Sequence, residues 1–483
     1  MDRAILSRCE NEALHLSGAI QPHGTLFVLE AEGLVSHVAA NVASFFRQPP
    51  EDWLDRPLPG ELRRLAEGLG KAPGSRMIHV GRIEGAPGLL DVVASRGPQG
   101  SVVLEFFDHA PGESLHAVSA PPDTPQDDEA LAAIRQRLVE EIAALCGFQR
   151  VMFYLFREEG DGEVVAEARD PAVYGSYLGL RFPASDIPQI ARALYLKNPW
   201  RMIPDATLDP VPLVGRTPTP PDLTWSDLRS VSPVHRVYLA NMGVVASLSF
   251  PVIVVDNLHA LVAAHHASPR RLPLETLEAA AQRVRSHAFA CASYQSQRRM
   301  RLVDGLQYRF GALTDLLRRH GALESAWPEL SDWLLHEFAV DGALLVAGER
   351  CLAAGVTFEP ATLAAVETWF AGEGSFVLLS DSLKCDVPHY PLSAVAGAIA
   401  LRLGGGQRLY LTRCEYVHEV AWGGNPEKPV EYHDGALGIA PRRSFEKWIE
   451  KRLGHSRPWD NEARLLALRL RELLLSPPIG HDG

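Results

Sequence analysis

The sequence predicts an α+β protein built from about three successive domains. Three observations carry this. At 483 residues, the chain holds roughly three domains of ~150 residues each. Short runs with alternating or continuous apolar character, broken by Gly and Pro, recur in its first two thirds and read as strands. From Leu274 to about His320 there is no proline, and Leu277, Ala281, Val284, Ala288 and Cys291 recur at helical spacing. That stretch predicts a helix far longer than average, suited to joining two domains or pairing with a second copy.

The elements follow in order. Residues 1–115 carry strand-like runs such as Gly24–Leu29 and Ser101–Phe107, expected to form an antiparallel sheet with a few helices. Residues 110–128, rich in Pro and Asp and poor in large apolar side chains, read as a linker. An amphipathic helix is predicted over Ala130–Cys146, then strands at Arg150–Phe156, Glu163–Arg169, Ala246–Val255 and Ala260–His265. Between the second and third of these strands lies a long insertion with little strand character, and loops of that size usually carry function. A third α+β segment starts near 325, and an Arg/Leu-rich amphipathic helix closes the chain at Asn461–Leu475. No internal repeat is visible.

Composition excludes several classes. With 46% hydrophobic and 22% charged residues the chain buries ordinary cores and is not disordered. A net charge of -12 argues against a nucleic-acid partner, which wants a basic face. No apolar run approaches the ~18 residues of a membrane span, and the N-terminus has no apolar signal segment. Cysteines 9, 146, 291, 351, 385 and 414 form no CxxC pair, which fits a reducing cytoplasm. A soluble cytoplasmic protein without membrane contact is expected.

Four strings carry chemistry. In Phe182-Pro-Ala-Ser-Asp-Ile-Pro-Gln-Ile-Ala-Arg-Ala-Leu-Tyr195, prolines 183 and 188 bracket Asp186 just before an apolar helix start. Taken alone, Asp186 reads as a helix N-cap. Cys9-Glu-Asn-Glu-Ala-Leu-His-Leu-Ser-Gly-Ala-Ile-Gln-Pro-His-Gly24 opens with a cysteine, taken alone a free or buried thiol. Ser232-Pro-Val-His-Arg-Val-Tyr-Leu-Ala-Asn-Met-Gly-Val-Val-Ala-Ser-Leu-Ser249 reads as a helix over Val234–Asn241, a stop at Gly243 and a strand. Val420-Ala-Trp-Gly-Gly424 and Ala440-Pro-Arg-Arg-Ser-Phe-Glu-Lys-Trp448 read as a Gly-rich turn and a basic loop heading a helix.

Together, in this order and at these spacings, the four strings resemble the photosensory core of the bacterial phytochromes over essentially the whole chain. The resemblance implies three tandem domains, each an antiparallel sheet with flanking helices: a PAS domain over 1–115, a GAF domain over 128–300 and a PHY domain over 305–483 with a tongue at about 413–453. It also implies an N-terminal segment knotted through the GAF insertion, an exception to the rule against knots.

In that family the N-terminal cysteine, here Cys9, adds as thiolate to a vinyl group of biliverdin. Ala13-Leu14 departs from the family's common proline and isoleucine without touching the reactive atom. Arg229, Arg201, Tyr195, Ser247 and Ser249 are the implied partners of the two propionates, guanidinium groups pairing with carboxylates and hydroxyls completing the set. His235 is implied to hold an ordered water at the pyrrole N–H groups, and His265 to face the D-ring carbonyl. An adjacent His265-His266 pair also suggests a metal site; strand neighbours point to opposite faces, however, and no spaced Cys or His set completes the ligands, so no metal is expected. Tyr154, Tyr238, Phe182 and Tyr177 are the implied neighbours of the D ring, with phenylalanine the commoner family residue at 177. Ala264 stands where relatives often carry cysteine. Ile187, Pro188, Ser232 and Met242 complete the implied pocket. Arg442 of the tongue is implied to pair with Asp186, with Ser444 and Trp422 as further parts of the switch.

The resemblance therefore implies a red/far-red photoreceptor, not an enzyme, that switches by isomerisation of its bilin. It would form a homodimer through the long helices and pass its signal to an output domain or response regulator. No histidine kinase follows the last helix, and a truncated piece of a longer protein is the expectation. Two other classes compete: a light-insensitive bilin- or haem-binding scaffold, and a GAF-type small-ligand sensor. A hydrolase triad of Asp186, His235 and Ser247 lacks the G-x-S-x-G elbow such a nucleophile needs.

Overall fold

A computed structural model of the chain describes residues 12–83, 85–110, 122–158, 160–426, 430–433, 436–439 and 445–475. The chain folds into two compact units, Met1–Tyr294 with Ala421–Trp448, and Gln295–Val420 with Ile449–Gly483.

The first unit holds two antiparallel sheets. One runs in the order Ala19–Ile20, Val211–Gly215, Val35–Ala39, Thr25–Leu29, Val102–Asp108, Leu89–Arg96, Arg76–Arg82. The expected runs near 24–29 and 101–107 thus pair directly, Phe27 opposite Leu104. The long insertion carries three short strands, Arg181–Phe182, Arg201–Ile203 and Val211–Gly215, in keeping with its low strand character, and the last of them joins the first sheet. The insertion strand sits between Ala19–Ile20 and Val35–Ala39, with Ala19 opposite Pro212 and Val38 opposite Val214. The backbone N–H groups of Gln21 and Leu223 donate to Leu228 and His15, so residues 15–21 lie along residues 211–228.

The second sheet runs Arg201–Ile203, Ala246–Val254, Asn257–His266, Arg150–Phe156, Gly162–Arg169, Arg181–Phe182, and then meets Trp422 in parallel register with Arg181. Its two faces differ in what they bury. Val151, Phe153, Leu248, Phe250, Val262 and Ala264 pack against the helices Asp128–Cys146 and Leu274–His320. Their neighbours one residue away, including Met152, Tyr154, Ser247, Ser249, Ala263 and His265, face a cavity. Strand periodicity of two makes this division. Asp127 caps the first of these helices, accepting from Ala130 N at 2.7 Å, and Gly147 ends it at φ +64°.

The helix Leu274–His320 has the length the proline-free stretch predicts. Leu277, Ala281, Val284, Ala288 and Cys291 enter the core of the first unit, and Phe310, Leu313, Leu316 and Leu317 that of the second. The second unit is built on a five-stranded antiparallel sheet, ordered Arg350–Gly355, Gly342–Ala347, Arg408–Cys414, Val395–Arg402, Val377–Ser380. The helices Leu323–Glu337 and Asn461–Leu475 cover one face of it. Among the described residues, no helix is long and apolar enough to cross a membrane. The apolar run at 244–255 is a strand of the second sheet.

Candidate functional site

The cavity on the second sheet has a volume of about 540 Å³, within the range of small-ligand sites. Every implied pigment-binding residue except Cys9 lines it: Tyr154, Tyr177, Phe182, Asp186, Ile187, Pro188, Tyr195, Arg201, Arg229, Ser232, His235, Tyr238, Met242, Ser247, Ser249 and His265. Cys9 lies outside the described residues, as do Arg442 and Ser444. Glu12 and Leu14 line the cavity, and the Ser232 hydroxyl donates to Glu12 Oε2 at 2.9 Å.

One end is cationic. Arg201 stands on its strand opposite Ser249, with Ile203 opposite Ser247. Its guanidinium donates to the carbonyls of Asp227 (3.1 Å), Arg229 (2.6 Å) and Ser230 (3.1 Å). Arg229 donates to the carbonyls of Leu223 and Thr224, both at 3.2 Å. Among the described residues, neither arginine forms an ion pair with a carboxylate. Burial lowers the pKa of both, and that of Arg229 falls to about 9, with the neighbouring Arg201 charge as second cause. Tyr195, hydrogen-bonded to Ser249, has its hydroxyl pushed up by burial. Two buried positive charges anchored on backbone carbonyls, beside three hydroxyls, make a site for two anionic groups.

The middle is held by the Asp186 turn. Asp186 does not cap a helix, which corrects the reading of that residue taken alone. It ends a 3-10 turn, Ala184–Asp186, and the helix Gln189–Tyr195 starts after Pro188. Prolines 183 and 188 both sit at φ -65°. Its Oδ2 instead accepts from the Tyr238 hydroxyl at 2.9 Å. Arg192 fixes the turn from below: Nε donates to Ile187 O at 2.7 Å, another N–H to Gly160 O at 2.5 Å, and the guanidinium stacks 4.3 Å from the Phe156 ring. His235 lies flat against Tyr238, the rings 6.1 Å apart and 13° from parallel. Burial, then the Arg201 charge, lowers the His235 pKa to about 4. Burial, then Arg150, lowers that of His265 to about 3. Both imidazoles are neutral at pH 7. His266 points the other way, edge-on to Phe148, as the strand argument requires.

The far end is aromatic. Tyr154 and Phe182 are buried with centroids 5.9 Å apart, and Tyr177 stands 5.8 Å from Phe182. Arg150, opposite His265 on the adjacent strand, stacks 3.9 Å from the Tyr177 ring. Two glycines permit this packing. A Cβ on Gly162 would stand 2.0 Å from the Tyr154 ring, and one on Gly423 would stand 2.6 Å from that of Phe182. Gly423 belongs to the segment that carries buried Trp422. Phe445, adjacent in sequence to Ser444, packs edge-on against Tyr238 at 5.1 Å.

Sequence reasoning missed several lining residues. Leu261 and Ala263 were recoverable, because they alternate with His265 on one strand. Trp200 and Ser226 had no local signal; their place depends on contacts across the fold.

Comparison with known proteins bears on the fold and the family. Residues 9–106 match the PAS fold, 130–287 the GAF domain and 309–478 the phytochrome region. A bacteriophytochrome of Pseudomonas aeruginosa is 32% identical over 99% of this chain and 67% of its own length. Cyanobacterial phytochrome B of Nostoc is 32% identical over 97% of this chain and 66% of its own. The chain thus spans about two thirds of the curated relatives it matches. Among solved structures, a bacteriophytochrome from R. palustris superposes with a TM-score of 0.80 at 28% identity, covering 99% of this chain and 100% of that one. A Stigmatella aurantiaca phytochrome photosensory core module gives 0.81 at 29% identity, covering 97% of each. The chain belongs to the bacteriophytochromes, bilin-binding red/far-red photoreceptors, and carries their PAS–GAF–PHY photosensory core.

Proposed function

We propose that this chain senses red and far-red light with biliverdin seated in the cavity described above and bonded to Cys9. The observation that carries the reading is the pair of buried arginines, Arg201 and Arg229, that face the cavity with no carboxylate partner among the described residues. An extended tetrapyrrole with two propionates supplies two such partners, and Tyr195, Ser247 and Ser249 offer hydroxyls to the same groups. Neutral His235 and His265 can each donate or accept one hydrogen bond at a polar edge without adding charge. Glu12 lines the cavity three residues after Cys9, within tether range of a thioether.

When bound, the pigment supplies light absorption and isomerisation of the double bond between its last two rings. The chain then has three tasks. Tyr154, Tyr177 and Phe182 surround the ring that rotates with apolar walls. The Tyr238–Asp186 bond changes partner as those walls rearrange. Phe445 and Trp422 carry that exchange into the segment holding Arg442 and Ser444, with Arg442 as the tongue's partner for Asp186. The contacts of residues 15–21 with residues 211–228 support the N-terminal knot. The domain limits follow the sequence reading, at 1–115, 128–300 and 305–483. The protein works as a cytoplasmic homodimer joined through its long helices, and the signal goes to an output domain or response regulator outside this sequence.

Titration of the apoprotein with biliverdin tests the site. A red-absorbing band that survives denaturation in the wild type, and is lost on denaturation of Cys9→Ala, is the expected result. A pigment that binds both proteins only reversibly would remove Cys9 from the account.

A further inference from the structure

The arginine end of the cavity rests on a residue from the first domain. Glu105, on the strand Val102–Asp108, is fully buried. Its Oε1 accepts from the Ser226 hydroxyl at 2.6 Å and from Leu228 N at 2.7 Å, and its Oε2 accepts from Asp227 N at 3.1 Å. Three donors thus converge on one carboxylate from a single turn of the second domain. That turn is also where the arginines are anchored. The Ser226 hydroxyl accepts from Arg229 N at 3.0 Å, and Asp227 O accepts from Arg201. Arg76, also from the first domain, grips the Asp227 carboxylate with two bonds of 3.1 and 2.6 Å. The Glu105 charge, with those of Tyr195 and Asp227, also favours the ionised form of both Arg201 and Arg229.

We propose that Glu105 is a positioning residue for pigment binding: it sets the 226–229 turn and thereby aims Arg201 and Arg229 at the two carboxylates of the bilin. This rests on the reading that those arginines take the propionates. The arrangement is unusual chemistry for a strand residue. Among the described residues, this carboxylate has no direct cation partner, and its donors all come from this turn. Burial and the Asp227 charge push the Glu105 pKa up to about 7, while the bonds from Ser226 and Leu228 N favour its ionised form.

The test uses Cys9→Ala protein, so that binding stays reversible, and two probes: biliverdin and its dimethyl ester, which has the same rings but no carboxylates. Glu105→Gln replaces one carboxylate oxygen by an amide N–H₂, which faces either the Asp227 N–H or the Ser226 and Leu228 donors, and misaligns the turn. Its affinity for biliverdin should fall about tenfold, the worth of roughly one charge-assisted bond, while its affinity for the ester stays within about threefold. Ser226→Ala, a milder change, should show a smaller loss with the same selectivity and covers the case in which Glu105→Gln does not fold. Equal losses for both probes would make Glu105 a general scaffold residue and overturn the proposal, as would no loss for either. If the unsubstituted Glu105 protein bound acid and ester alike, the propionate reading itself would fall, and this inference with it.

Discussion

Replacing Arg229 by methionine in Cys9→Ala protein gives the sharpest quantitative expectation. The substitution keeps most of the side-chain volume and removes one of the two buried cations. A charge-assisted hydrogen bond is worth about 1.5–3 kcal/mol, so biliverdin affinity should fall about 10- to 150-fold. Arg229→Met also withdraws two donors from the backbone. Thr224 O keeps the Asn198 amide at 2.8 Å, and Leu223 O keeps the Ser226 N–H at 3.0 Å. Both carbonyls stay paired, so the urea midpoint of the apoprotein should change little. Arg201→Met should match it in affinity. Its anchors differ: Asp227 O retains the Gln21 amide at 3.3 Å, while the carbonyls of Arg229 and Ser230 lose theirs. The double variant should lose at least the sum, because the Arg201 charge lowers the Arg229 pKa and removing one cation relieves the other. Equilibrium absorbance titration reads all three. Losses below about threefold in both folded single variants would refute the assignment of these arginines to the pigment.

Further expectations follow from the same geometry. Tyr238→Phe removes the donor to Asp186, worth about 1.5 kcal/mol or more against a carboxylate. The ratio of the two light states at dark equilibrium should shift about tenfold, and an unchanged ratio would take this bond out of the switch. Gly162→Ala drives a Cβ to 2.0 Å from the Tyr154 ring, so the ring must move by more than ~1 Å at a penalty of about 1–3 kcal/mol; a lowered photoconversion yield with retained pigment binding is expected, read by flash absorbance. His287 is 1% exposed, and burial lowers its pKa to about 4, against 6.5 unfolded. The unfolded chain therefore binds the extra proton between pH 6.5 and 4, and stability is lost as pH falls through that window, by about 2 kcal/mol at pH 5. Urea midpoints at pH 7 and 5 check it, and His287→Phe should reduce the difference by its share, His235 and His265 keeping theirs.

Much of this was legible in the chain, for identifiable reasons. The helices Leu274–His320 and Asn461–Leu475 were readable because apolar spacing and the absence of proline act locally. His265 was separable from His266 because strand neighbours must face opposite ways. The pocket residues came from the resemblance, since nothing in a lone histidine or arginine marks it as a ligand contact. Other features were not legible. Val211–Gly215 carries Pro212 and is short, so its pairing with the first sheet rests on partners over 170 residues away. Asp186 looked like an N-cap because Asp before an apolar helix start usually is one; Pro188 takes the cap position instead. Glu105 reads as one polar residue in an apolar strand, and its role depends on donors 121 to 123 residues later.

The central claim is that the cavity holds a pigment that light switches between two states of the protein. Absorbance spectra of the biliverdin-assembled chain, recorded in darkness and after alternating red and far-red illumination, test it most directly. The account predicts a red band that converts to a far-red band and returns over repeated cycles. A covalently bound pigment whose spectrum ignores both colours would contradict it and leave a bilin-binding scaffold.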